Sequence, residues 1–263
     1  MNIIFSVLVF FIGAIFGSFL KVVADRYNTG MTLGGRSLCF SCRKTLTWRE
    51  LIPVLSFILQ KGQCRFCKSK MEWSYLISEV STGLLFLAAY LKTGLTIETG
   101  ILLIAFSLLV IIVQYDLKHT IIPDRFVFPF AGIALLSVFI SQNSFVIPND
   151  LYSALLAGPT IALPLFLLWL VSQGRWMGLG DSKLVLGLGW ILGMKAGFSA
   201  LIVSFWIGAG VSVFILIINS IWGKRFLKHF GKGLTIKSEI PFAPFLVLGF
   251  LLTFFFEFMI FLA

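Results

Sequence analysis

A short glycine-rich stretch, Gly178-Leu179-Gly180-Asp181-Ser182-Lys183, places a carboxylate at the mouth of an apolar segment. A second acid, Asp116, ends another apolar segment just before Ile121-Ile122-Pro123-Asp124. Two close carboxyl groups can share one proton, because both cannot easily ionise side by side. One can then take a proton from water while the other protonates a carbonyl oxygen. Asp116 and Asp181 are therefore the candidate pair for an aspartyl mechanism inside a bilayer, with the two glycines allowing close backbone approach.

Other charged residues near these positions have simpler interpretations. Lys183 follows Asp181 closely and is expected to bias its charge. Asp124 follows a proline and is interpreted as the start of a helix. Glu79 lies inside an apolar segment, where an acid is a functional candidate by default. Glu257, near the end of the last apolar segment, is given no role.

The cysteines form two Cys-x-x-Cys pairs, Cys39 with Cys42 and Cys64 with Cys67. Two such pairs at this separation are typical of a tetrahedral zinc site of four thiolates. A site with four protein ligands has no open position, so its expected role is structural. A small loop with little apolar content needs such a metal to fold. The alternatives are a catalytic metal and redox-active or unliganded thiols.

The composition is that of a membrane protein. The chain has 263 residues, of which 59% are hydrophobic and 12% charged, whereas a soluble domain is about 25% charged. Its apolar runs are long enough to cross a bilayer as helices. The first run lacks a basic n-region and is predicted to be a retained helix. We predict an all-α integral membrane protein with about eight transmembrane helices, near 2–24, 74–91, 99–115, 125–141, 151–172, 183–194, 198–221 and 241–262.

The sixth predicted helix is short and rich in glycine. It contains Gly187, Gly189 and Gly193, and it is expected to pack tightly between neighbouring helices.

The distribution of positive charge predicts the orientation. Lys and Arg residues concentrate in the gaps after the first, third, fifth and seventh predicted helices, whereas Lys92 and Lys195 lie on the other face. By the positive-inside rule these gaps are cytoplasmic and the N-terminus is outside. Asp116 and Asp181 then lie at one depth on the cytoplasmic side of the cell membrane.

Three domains are expected: a first transmembrane helix at 1–24, a cytoplasmic zinc domain at 25–73 and a transmembrane protease domain at 74–263. The chain has a net charge of +10, and its Lys and Arg residues lie mainly in the gaps between apolar runs. This pattern argues against nucleic acid as a partner. The basic connector at 222–240 is instead expected to contact anionic lipid headgroups.

Several blocks of residues, taken in order, resemble one family. They are Gly17-Ser18-Phe19-Leu20, the stretch Leu46-Thr47-Trp48-Arg49-Glu50-Leu51-Ile52-Pro53 between the cysteine pairs, Asp116 with Ile122-Pro123-Asp124, Gly178 to Leu184, and Ile240-Pro241-Phe242-Ala243-Pro244-Phe245. In this combination, over nearly the whole chain, the sequence resembles the bacterial type IV prepilin peptidases, also called prepilin leader peptidases. One departure is Lys21, which stands where many members have Asn.

The resemblance implies cleavage of the leader of type IV prepilins or pseudopilins at the cytoplasmic membrane face, with Asp116 and Asp181 matching the catalytic aspartates. Many bacterial members also N-methylate the new N-terminal residue, usually Phe, using S-adenosylmethionine, and this activity goes with the cysteine-bearing region. No glycine-rich cofactor loop identifies the residues that hold the methyl donor.

Two alternative functions stand beside this reading. One is a protease whose zinc loop is only a substrate-docking scaffold, with no methyl transfer. The other is a transporter or channel that uses intramembrane acids, which is disfavoured because Asp116 and Asp181 lie at the membrane boundary.

Overall fold

The computed structural model describes residues 3–140, 151–222 and 241–257, apart from the single positions 31, 33, 36 and 40. Residues 223–240 of the predicted basic connector, including the first residue of the last motif, lie outside this described part. The helices are α1 Ile3–Arg26, α2 Leu55–Leu59, α3 Trp73–Thr93, α4 Ile97–His119, α5 Asp124–Ile140, α6 Leu151–Ser172, α7 Leu179–Trp222 and α8 Ala243–Phe256. A 3-10 helix, Trp48–Leu51, precedes α2.

The described residues form helices and isolated bridges but no strand, so the predicted all-α class is confirmed. In the described part of the chain, five helices are long and apolar enough to cross a membrane: α1, α3, α4, α6 and, within α7, Leu179–Ile218. The chain therefore fits a multi-pass membrane protein.

The structure does not support eight separate spans of full length. The predicted sixth and seventh helices are parts of the single element α7. The fourth and eighth, α5 and α8, have 17 and 14 described residues, fewer than the ~20 that a crossing usually needs.

A glycine divides α7 into two arms. Gly193 has φ 73° and ψ 178°, which no α-helix contains. A Cβ built on Gly197 would lie 3.7 Å from the Cα of Gly189, although eight residues of straight helix extend about 12 Å. The chain therefore folds back at Gly193, and the arms 179–192 and 194–222 correspond to the two predicted helices.

The first arm of α7 packs closely against its neighbours, as its glycines predict. A Cβ at Gly187 would lie 2.6 Å from the ring of Phe130 in α5. A Cβ at Gly189 would lie 3.0 Å from the Cα of Gly158 in α6. The indole N–H of Trp190 donates to the carbonyl of Leu155 at 2.9 Å. In lipid the hydrophobic effect does not drive helices to associate, and small residues instead allow their backbones to pack closely.

The chain divides into two compact units, Met1–Gln114 and Tyr115–Ala263. In the first unit α1 packs on α3. A Cβ at Gly17 would lie 2.5 Å from the carbonyl oxygen of Ser78, and the Ser78 hydroxyl donates to the Gly17 carbonyl at 2.7 Å. In the second unit α7 packs against α5, α6 and α8.

Lys21, the departure from the family pattern, is compensated by its surroundings. It is buried, and its Nζ lies 2.8 Å from an oxygen of Asp25, one helical turn away. The same Nζ lies 5.5 Å from the ring centroid of Tyr75. A buried charge is tolerated when it is paired in this way.

Candidate active site and metal centre

Asp116 lies near the end of α4 and is 4% exposed. Its Oδ2 accepts a hydrogen bond from the backbone N–H of Ala243 at 3.1 Å. Ala243 is the first residue of α8 and is fully buried. The first N–H groups of a helix have no partner within the helix and favour an anion. The last helix thus supplies a donor that holds this carboxyl group.

The Ala243 donor is a functional feature that the sequence reasoning missed. The block Pro241-Phe242-Ala243-Pro244 entered only as part of the family resemblance. Its signal was present, because a proline at the second helical position marks a helix start with free N–H groups before it. A small residue at that start leaves room for a buried carboxylate.

Asp181 lies in the first turn of α7 and is 9% exposed. Its backbone N–H donates to the carbonyl of Gly178 at 3.3 Å. The positive end of the helix dipole favours an acid at this position. The carboxyl groups of Asp116 and Asp181 are close enough to interact electrostatically. The structure therefore brings both predicted acids together within the second unit.

Gly180 is the point where the first turn of α7 meets the segment after α4. A Cβ at this position would lie 2.8 Å from the Cβ of Ile122. At Gly178 the same added atom would meet Oδ2 of Asp181 at an ordinary 3.5 Å. Only Gly180 is therefore required by close packing, and this contact keeps the two acidic segments adjacent.

Lys183 is held by a different acid from the one expected. Its Nζ lies 2.7 Å from Oδ1 of Asp124 and 5.0 Å from the ring centroid of Phe128. Side chains two positions apart in a helix point about 200° apart around its axis. Lys183 therefore points to a different side of α7 from Asp181. The helix α5 begins at Asp124, which confirms the interpretation of that residue as a helix start.

Two interacting carboxyl groups that are both more than nine-tenths buried suit one kind of chemistry. They can hold a single proton between them, so that one is a base toward water while the other is an acid toward a carbonyl. This is the arrangement that aspartyl hydrolysis requires.

The four cysteines converge on one point of the loop between α1 and α3. Their Sγ atoms all lie within 4.8 Å of one another, and Cys39 Sγ is 3.7 Å from Cys67 Sγ. Zinc bound tetrahedrally at ~2.3 Å from each sulfur would separate the sulfurs by about 3.8 Å. The cluster therefore has the dimensions and the donor set of a four-thiolate metal site.

The two cysteine pairs have the same backbone conformation. In each, the N–H of the first cysteine donates to the carbonyl five residues later, at 3.0 Å from Cys39 and 2.9 Å from Cys64. The residue after the second cysteine has a positive φ, 55° at Arg43 and 57° at Lys68. An antiparallel bridge closes each loop, Leu38 with Thr45 and Gln63 with Lys70. This repetition directs both pairs of thiols toward one point.

Local hydrogen bonds favour the metal-binding thiolate form at Cys39 and Cys67, whereas burial and the neighbouring thiols raise the pKa of Cys42 to about 11. The backbone N–H of Cys42, with the hydroxyl of Ser69, lowers the pKa of the Cys39 thiol to about 6. The same hydroxyl lowers the pKa of the Cys67 thiol and lies 3.1 Å from its sulfur.

Comparison with known proteins gives consistent matches. Residues 11–93 match the family described as Bacterial Peptidase A24 N-terminal domain, and residues 103–224 match the Type IV leader peptidase family. A Bacillus subtilis protein named prepilin leader peptidase/N-methyltransferase is 31% identical over 94% of this chain and 92% of its own length. Proteins of the same name from Myxococcus xanthus and Klebsiella pneumoniae are 33% and 32% identical, covering 84% and 71% of this chain and 66% and 85% of their own lengths. No solved structure matches the chain.

Proposed function

Because the chain belongs to the prepilin leader peptidase/N-methyltransferase family, we propose that it is a membrane aspartyl endopeptidase and a protein N-methyltransferase. It cleaves the leader from type IV prepilins or pseudopilins at the cytoplasmic face of the membrane. It then methylates the new N-terminal residue, usually Phe, with S-adenosylmethionine as the methyl donor.

The meeting of Asp116 and Asp181 is the observation that carries the peptidase half. These acids are 65 positions apart in the chain, yet both are buried in one compact unit and interact electrostatically. We assign one carboxylate to accept a proton from the attacking water. The other, protonated, donates a proton to the oxygen of the scissile carbonyl. The Ala243 N–H, bonded to Asp116, orients that carboxyl group.

The substrate's form fits the placement of these acids. A prepilin has an apolar helix that follows a charged leader, so it can approach from the bilayer while the leader stays in water. The bond to be cut must lie at the end of that helix, because helical backbone is not available for attack. The turn before Asp181 is irregular and mostly exposed, as suits a site at the membrane boundary and not at its centre.

We further propose the finer arrangement of the chain. The N-terminus lies outside, and the two arms of α7, with α5 and α8, lie in the membrane beside the longer helices. Residues 25–73 form a cytoplasmic domain in which Cys39, Cys42, Cys64 and Cys67 hold a structural Zn²⁺. This domain belongs to the methyltransferase half, and 74–263 is the protease domain.

Substitution of the acids tests the peptidase half. We expect Asp116→Asn and Asp181→Asn each to lower cleavage by about 10³-fold or more, since each removes one member of a cooperating pair. The readout is uncleaved prepilin on a gel, with membrane insertion of the enzyme checked separately. Asp124→Asn is the control, because that acid is exposed and ion-paired. Normal processing by both pair variants would end the assignment.

The scaffold alternative is separated by the mass of the product. Purified enzyme, a prepilin and S-adenosylmethionine are incubated together, and the mature N-terminus is weighed. One added methyl group supports the transferase half, whereas a cleaved but unmethylated product supports a loop that only docks the substrate.

A further inference from the structure

The 3-10 helix Trp48–Leu51 turns its acid inward and its apolar residues outward. Glu50 is 9% exposed, whereas Trp48 is 70% and Leu51 is 44% exposed. Chain segments that fold for stability alone show the reverse pattern, since charged residues are almost never buried unless they are paired. A capping box with Thr47 at the start of the 3-10 helix accounts for one carboxylate oxygen of Glu50, and the burial of the other oxygen needs a further reason.

Only one oxygen of Glu50 is satisfied. Its Oε2 accepts hydrogen bonds from the backbone N–H of Thr47 at 2.7 Å and from the Thr47 hydroxyl at 3.0 Å. Its Oε1 is buried and, within the described part of the chain, has no hydrogen-bond partner. The neighbouring cation, Arg49, lies over the Trp48 ring at 5.3 Å. A buried carboxylate oxygen without a donor is costly, so its retention points to a ligand.

The segment that carries Glu50 is held in a strained conformation. Val54 has φ 64° and ψ −53°, and the N–H of Leu55 donates to the carbonyl of Pro53 at 2.6 Å. These values describe a γ-turn with positive φ, which is rare for any residue and most unfavourable for a β-branched one. Strain of this kind persists where the surroundings impose it, and it concentrates at functional sites.

A second buried acid imposes that turn. Glu79 in α3 is 8% exposed. Its carboxylate accepts a hydrogen bond from the backbone N–H of Val54 at 2.7 Å. The segment is thus fixed at its start by Glu50 on Thr47 and at its end by Glu79 on Val54. We take Glu79 as a positioning residue, which gives a role to the membrane acid singled out in the sequence.

We propose that Oε1 of Glu50 binds a primary ammonium group, supplied by the N-terminus of the cleaved substrate or by the α-amino group of the methyl donor. This inference rests on the transferase half of the proposed function, in which both molecules take part.

The geometry selects an ammonium group over other cations. A guanidinium is bound best through two parallel hydrogen bonds to both carboxylate oxygens, but Oε2 of Glu50 already has two donors. Calcium and magnesium require several oxygen ligands, and one free oxygen does not provide them. An ammonium group is a compact charge with three donors, and a single buried oxygen suits one of them.

Glu50→Gln tests the proposal, because glutamine keeps an oxygen for Thr47 but removes the charge. Initial rates of methyl transfer are measured with a pre-cleaved pilin peptide and S-adenosylmethionine, and prepilin cleavage is measured in parallel. We expect kcat/KM for methyl transfer to fall about 10- to 100-fold, as for the loss of a charge-assisted hydrogen bond, while cleavage and bound zinc stay unchanged. Glu72→Gln is the matched control, since this acid of the same loop is exposed and its Oε2 accepts a hydrogen bond from the Ser74 hydroxyl at 3.0 Å.

The KM values identify the source of the ammonium group. A rise in KM for the peptide alone assigns the substrate's N-terminus, and a rise in KM for S-adenosylmethionine alone assigns the donor. If Glu50→Gln loses zinc, Glu50→Asp decides: it keeps the charge, so transfer above the Gln level supports the proposal and equal transfer contradicts it.

Methyl transfer by Glu50→Gln at the wild-type rate would make Glu50 a helix cap only and overturn the inference. Failure of the proposed function has a different signature, because the wild-type protein would then cleave without methylating. That result would remove the transferase half and this inference with it.

Discussion

At the scale of single residues, Gly180 and Gly178 frame the same acid but differ in the space around them. A side chain at Gly180 would press on Ile122, whereas one at Gly178 would make ordinary contacts. The close contact at Gly180 fixes the distance between the segment of Asp116 and the segment of Asp181. Gly178 only precedes the first residue of α7.

We therefore predict unequal effects of two alanine substitutions. Gly180→Ala overpacks the contact by about 1–3 kcal/mol and is expected to reduce prepilin cleavage strongly. Gly178→Ala is expected to cause a much smaller loss. Cleavage rates of both variants, at matched amounts of membrane-inserted enzyme, check this. Equal losses would mean that the two glycines act in the same way.

The ion pair of Lys183 and Asp124 leads to a second prediction. Exposed ion pairs contribute about 0–1 kcal/mol, and this one does not involve the proposed catalytic acids. Lys183→Met is therefore expected to keep cleavage within about five-fold of the wild type. A loss as large as that of Asp181→Asn would show that the lysine does act on the acid pair.

Residue types and positions alone identified Asp116, Asp181 and the four cysteines as candidates, because carboxylates and thiolates have few other uses at such positions. The Ala243 donor was not predicted, since every residue other than proline has a backbone N–H. The burial of Glu50 was not predicted either, because a glutamate between Arg49 and Leu51 in a basic loop is expected to be solvated. Both depend on contacts between distant segments, which one sequence does not reveal.

At the scale of secondary-structure elements, α1 and α3 touch through their backbones. Gly17 lies against the Ser78 carbonyl, the Ser78 hydroxyl donates to the Gly17 carbonyl, and the Gln114 amide donates to Ser78 at 2.7 Å. The glycine of the first family block is therefore a packing residue. The hydrogen bonds of Ser78 fix the position of α1 relative to α3 at this contact.

Gly17→Ala is expected to force α1 and α3 apart and to destabilise the first unit by about 1–3 kcal/mol. Gly100→Ala in α4 is the matched control, because no described atom beyond its own helical backbone and chain neighbours lies within 4 Å of its added Cβ. Alanine at that helical position should be neutral or stabilising by up to about 1 kcal/mol. Thermal unfolding of both variants in detergent measures the difference, and equal melting temperatures would contradict the assigned contact.

The long apolar runs were sufficient to locate the helices, because burial in lipid leaves a continuous signal in the sequence. The close relation of the two arms of α7 was not evident, since it depends on the φ of Gly193. The strained turn at Val54 was also not predictable, because valine does not favour it and only the Glu79 carboxylate explains it.

At the scale of the whole chain, each compact unit contains one candidate centre: the cysteine cluster in Met1–Gln114 and the acid pair in Tyr115–Ala263. The described residues of the loop around the cysteines form two isolated bridges and short helices but no sheet. Its order should therefore depend on the metal.

Metal removal is expected to unfold this loop selectively. With zinc bound, trypsin should spare the basic residues between the cysteine pairs, which include Arg43, Lys44 and Lys61. After chelation, or in Cys64→Ser, the same sites should be cut rapidly while the helical circular dichroism is retained. Metal analysis should give one zinc per chain for the wild type. Unchanged protection without metal would remove the structural role.

The hydrogen bond from Ala243 to Asp116 has a consequence for biosynthesis. A nascent polypeptide that has inserted both acids still lacks the amide that orients one of them until α8 has been synthesised. Peptidase activity is therefore acquired only after α8 has joined the other helices, and fragments truncated before this helix would be inert in the membrane.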